Sequence, residues 1–109
     1  MITITIFQNQ SGQYIGFHCI GHAEYAAYGE DLVCAGVSTL VINTLNAIEA
    51  FTQEVFDAET DQKSGLIDIR FRHPVKHDAK LLIDTMILGL QDIQDRYGAD
   101  YSFLTFKEV

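Results

Sequence analysis

A chain of 109 residues, 48% hydrophobic and 20% charged, has the length and balance of one folded domain and is too apolar for a disordered one. Fifteen acidic against seven basic side chains give a net charge of −8, which opposes binding to nucleic acid or to an anionic membrane, because phosphate binding runs on Lys and Arg displacing counterions. The same balance suits a basic partner. The alternating opening Ile2-Thr3-Ile4-Thr5-Ile6 lacks the basic start of a secretory leader, and no apolar run is expected to reach the ~20 residues of a bilayer span. With two cysteines and no leader, the expectation is a cytoplasmic protein with reduced thiols, not a disulfide framework.

Ile2 to Gln8 puts Ile2, Ile4 and Ile6 on one face and Thr3 and Thr5 on the other, the pattern of a half-buried strand. Asn9-Gln10-Ser11-Gly12 reads as a turn, with Gln13 to Ile20 as the second arm of a hairpin. After the polar, glycine-bearing stretch from Gly21 to Asp31 a helical pattern starts, with Asp31 placed as its cap and a stripe of Val33, Val37, Leu40, Thr44, Leu45, Ile48 and Phe51. A strand over Glu54 to Thr60, a turn at Lys63-Ser64-Gly65 and a strand from Leu66 to Arg72 follow. A second helix is expected from Asp78 to Tyr97, striped by Ala79, Leu82, Ile83, Met86, Leu90, Ile93 and Tyr97, with Gly98 as its C-terminal cap. Tyr101 to Phe106 makes a last short strand. The order β-β-α-β-β-α-β, with no repeat or linker, predicts a single α+β domain over residues 1–109, one sheet with two helices packed on it. Strand order does not follow from the pattern.

The chemistry gathers in Gly21-His22-Ala23 and Asp31-Leu32-Val33-Cys34-Ala35-Gly36-Val37-Ser38. With Asp31 as cap, Cys34 falls in the first helical turn, where unpaired N–H groups and the helix dipole favour an anion and lower a thiol's pKa. His22 stands twelve positions earlier, at the end of a strand, and the intervening loop is long enough to bring it back over the helix start. A thiol with an imidazole in reach is the minimum for nucleophilic catalysis; a cysteine at such a place also packs as a small hydrophobe. Asp31 reads as a helix cap or as a group orienting His22. Ser38, one turn beyond Cys34, supports the pair or simply bonds to backbone. Gly21 is a turn glycine or the hinge of a lid over residues 22–30 that closes on substrate.

These two segments resemble the ribosomal-processing cysteine protease family Prp, whose hallmark is a Gly-His-Ala segment followed by Asp-x-Val-Cys-Ala-x-x-Ser at this separation. The similarity extends along the chain: the length, the opening hairpin, two helices and a tyrosine-containing C-terminal strand. Membership would imply a homodimeric endopeptidase that removes a short N-terminal extension from the large-subunit ribosomal protein L-twenty-seven during ribosome assembly. Cys34 would be the nucleophile and His22 the general base and then the proton donor, with no cofactor. A basic ribosomal protein suits the acidic balance.

Two rivals remain at this level. Cys19, His22, His18, His73 and His77 could be scattered metal ligands, although no Cys-x-x-Cys pair occurs and Pro74 interrupts the last two histidines; Cys19, beside Phe17, reads better as core. Alternatively the protein is a non-catalytic dimeric module that grips a peptide while Cys34 merely packs.

Overall fold

The computed structural model describes residues 2–21, 30–97 and 103–109, with backbone alone for Glu30 and Asp31. β1 (Thr3–Gln8) and β2 (Tyr14–Ile20) form the opening hairpin, Ile6 opposite Phe17 and Ile4 opposite Cys19. Asn9 closes it: its Oδ1 accepts from the N–H groups of Ser11 and Gln13 at 3.0 and 2.9 Å. α1 (Glu30–Phe51) leads to the hairpin β3 (Phe56–Asp61) and β4 (Leu66–Phe71), then to α2 (His77–Tyr97) and β5 (Leu104–Glu108). The α+β order is the expected one.

The strands form one mixed sheet in the order β3-β4-β2-β1-β5, in which only β5 runs parallel to its neighbour, β1. Both helices lie on the face that carries Ile2, Ile4, Ile6, Phe17, Cys19, Ile69 and Phe71, and Val33, Val37, Val41, Ile48, Ala79, Ile83, Met86 and Leu90 close the core from above. The other face is polar. There Asp68 joins His18 at 2.8 Å and Arg70 at 3.2 Å, and Arg70 lies over the Phe7 ring. Burial pulls the Asp68 carboxyl up, but the hydrogen bonds from Arg70 and His18 outweigh it and hold the group below its usual range.

Four expectations shift. Phe51 and Tyr97 continue their helical stripes in sequence but are 77% and 63% exposed, because each ends its helix beyond the sheet that the stripe covers. α1 begins at Glu30, so Asp31 lies inside its first turn and is not the cap. The last strand runs on to Glu108, held by β1 as far as Gln8, while Tyr101 and the proposed cap Gly98 fall outside the described residues. The fourth concerns apolar length: Leu32–Phe51 is long and apolar enough, by length and composition only, to cross a membrane. Its freedom from charge between Asp31 and Glu49 was hidden by interspersed Ser, Thr and Asn, and Val33, Val37, Val41 and Ile48 on it are buried against the sheet.

Candidate active site

β2 and α1 position the site. Cys34 is the fifth residue of α1, at the start of the second turn and not in the first. It stays within about a turn of the helix start, where the unpaired N–H groups and the positive end of the dipole act. Its side chain faces the sheet, is 7% exposed, and belongs to the same buried cluster as Val33, Val37 and Cys19. Ser38, half-buried, follows one turn later on the same side.

The approach to His22 is fixed on its near side. Gly21, the last described residue before residues 22–29, donates its N–H to the Ser64 carbonyl at 2.9 Å, so the chain leaves β2 pinned to the β3–β4 turn. Gly21 has φ +112°, a conformation that side chains rarely adopt. His22 and the lid expected over 22–30 lie outside the described residues, Glu30 apart, as does the side chain of Asp31; the structure puts Cys34 in one buried cluster with Cys19 of β2, with Ser38 one turn further along α1.

Gly21→Ala is therefore expected to do more than stiffen a hinge. A Cβ at this φ costs about 1–2 kcal/mol and turns the backbone that delivers His22. Thermal unfolding should show the lower stability, and peptide turnover should fall further than the unfolded fraction explains. Wild-type values for both would show that the turn is not needed.

Burial, and secondarily the charge on nearby Cys34, push the Cys19 thiol up to about 11. Cys19 is 2% exposed, which confirms it as core. At pH 7 iodoacetamide is expected to alkylate Cys34 and leave Cys19 untouched, as peptide mass mapping would show; equal labelling would contradict the assignment of Cys34 as the reactive thiol.

The scattered histidines do not converge on Cys19. His18 points to the polar face and binds Asp68. His73 and His77 lie at the far end of β4, lining a groove of ≈ 420 Å³ with Phe51, Val55 and Pro74, whereas Cys19 pairs with Ile67 near the start of that strand. Among the described residues, no three of His, Cys, Asp and Glu gather to hold a metal ion.

A buried thiol near the start of α1, on a two-layer α+β domain whose second strand leads in sequence to Gly21-His22, suits a thiol peptidase. The family model for the cysteine protease Prp matches residues 1–102. The ribosomal processing cysteine protease Prp of Staphylococcus aureus strain Mu50 is 36% identical over 98 residues, covering 90% of this chain and 92% of that one. Its counterpart in Bacillus subtilis strain 168 is 31% identical over 101 residues, covering 89% and 90%. Among solved structures, Prp from S. aureus in complex with a substrate peptide superposes with a TM-score of 0.85 at 31% identity, over 100% of both chains. The same enzyme with a covalently linked product peptide gives 0.83 at 34%, over 98% of this chain and 100% of that one. The chain belongs to the cysteine protease Prp family and is a cysteine protease, which removes the non-catalytic rival.

Proposed function

We propose that this protease is a cytoplasmic homodimer that removes the N-terminal extension of the large-subunit ribosomal protein L-twenty-seven during ribosome assembly, with Cys34 and His22 as its catalytic pair. The observation that carries the reading is the position of Cys34, the family's motif cysteine, near the start of α1 in a fold shared over its whole length with a relative solved with a peptide covalently linked. The net charge of −8 supports a basic ribosomal substrate.

In this reading His22 takes the Cys34 proton as Sγ attacks the scissile carbonyl carbon. The tetrahedral oxyanion forms beside the N–H groups of the first turn of α1. Collapse breaks the C–N bond, His22 returns its proton to the leaving amine, and a thioester remains on Sγ. Water, deprotonated by His22, then attacks the thioester and releases the carboxylate and the thiol. Asp31 and Ser38 support this pair and Gly21 sets the approach of His22. The test is cleavage of the extended ribosomal protein by the purified enzyme, read by mass spectrometry. A single cut that removes the extension is expected; an intact substrate under conditions where Cys34 alkylates normally would sink the substrate assignment and leave the chemistry.

A further inference from the structure

The chain reaches His22 from β2 with little in the core to hold it. Cys19, 2% exposed, is the last residue of β2 with a partner on β4, Ile67. Ile20 keeps its pairing with Thr3 of β1 but turns its side chain out, 40% exposed. Gly21 lies beyond both ladders and brings no side chain to pack, and a glycine left to itself samples a wide range of backbone angles. Its N–H goes instead to the Ser64 carbonyl, at 2.9 Å. That bond ties the residue before His22 to the β3–β4 turn.

Ser64 is itself held in place. It belongs to the turn Gln62-Lys63-Ser64-Gly65, which Asp61 shapes from the last position of β3. Asp61 Oδ1 accepts the Lys63 N–H at 3.1 Å, and Oδ2 accepts from the Ser64 hydroxyl at 3.0 Å. A carboxylate that bonds its own backbone two residues on is a turn-forming device, and Gly65, at φ +68°, lets the chain enter β4. These bonds set the direction of the Ser64 carbonyl, and so the place where Gly21 is caught. Asp61, Gln62 and Lys63 are exposed and lie outside the core cluster, so the arrangement contributes little to burial. It matters for geometry. A general base works within about 2.6–3.2 Å of the proton it takes, and a misplacement of about 1 Å can cost a hundredfold in rate.

We propose that Asp61 and Ser64 are positioning residues for the catalytic base: the β3–β4 turn holds the Gly21 N–H and, through Gly21, sets where His22 stands relative to Cys34. The inference rests on the reading of His22 as the base of Cys34. Asp61→Ala is expected to lower kcat for the extension peptide of L-twenty-seven about tenfold, with KM little changed. Its thermal midpoint should move by no more than about 4 °C, as for an exposed surface residue. Asp61→Asn, whose amide oxygen still accepts from Lys63, should keep most of the activity. Ser64→Ala, which removes one of the two bonds to Asp61, should fall between wild type and Asp61→Ala. The readout that a merely structural role would not move is the pH profile of Cys34 alkylation by iodoacetamide, which needs no substrate. A thiol beside a well-placed imidazole ionises at lower pH, so Asp61→Ala should raise the midpoint of the profile by about one pH unit, toward that of His22→Ala. In the His22→Ala background, Asp61→Ala should add nothing further. Wild-type kcat and an unmoved profile in Asp61→Ala, beside a clear rise in His22→Ala, would overturn the tether and leave the dyad. A loss of kcat fully matched by the unfolded fraction would overturn it as well. Equal profiles in wild type and His22→Ala would overturn the dyad, and this inference with it.

Discussion

Replacing Cys34 by alanine is expected to lower kcat/KM for peptide cleavage by at least about a thousandfold, and His22→Ala by a similar factor. In the proposed dyad the two side chains act as one unit: a thiol without its base is mostly protonated, and a base without the thiol has nothing to activate. The double variant should therefore be little worse than either single one, since residues that act together are strongly non-additive. Cys34 is part of the buried cluster, so the alanine variant loses one sulfur's worth of packing, and circular dichroism should confirm a native fold. Cys34→Ser should be nearly as inactive, because a hydroxyl is far less acidic than a thiol and the helix start offers it no comparable activation. Additive losses, or substantial cleavage in either single variant, would break the assignment.

What could be read from the sequence followed the periodic elements. Ile2, Ile4 and Ile6 are 1%, 0% and 0% exposed, as period-two alternation required. Both helices likewise bury the middles of their stripes. Periodicity knows nothing of where a sheet ends, which is why Phe51 and Tyr97 were counted into a core that they overhang. It is equally silent on order: β5 finds its place beside β1 through pairing such as Leu104 with Ile4, a contact a hundred residues apart in the chain. The start of α1 was misjudged because Gly29, Glu30 and Asp31 all suit a helix entrance, and one residue's difference decides which is cap. Cys34 and His22 stand out in the sequence by their motif and not by spacing alone. The pairing of β3 was equally hidden, because Ala58 and Thr60 alternating with Asp57, Glu59 and Asp61 look like an ordinary exposed edge until the register sets Ala58 opposite Ile69 and Thr60 opposite Ile67.

Phe17→Ala is expected to be the most destabilising single truncation, by about 3–5 kcal/mol, because it removes a large buried ring that the surroundings cannot refill. Phe17 is fully buried in β2, a central strand, paired with Ile6 on one side and Ile69 on the other, with its ring 6.3 Å from that of Phe71. A domain of this size has a total stability of about 5–15 kcal/mol, so the variant should approach or pass its unfolding threshold at 37 °C. The comparison that isolates the cause is Phe51→Ala. It deletes the same ring from a position 77% exposed and should shift stability by no more than about 0.5 kcal/mol. Urea unfolding followed by circular dichroism would measure both. Because β2 also delivers Gly21 and the chain to His22, residual Phe17→Ala activity should track the folded fraction as temperature is lowered, returning toward the wild-type rate where the variant refolds. Similar losses from both phenylalanines would contradict the burial that separates them.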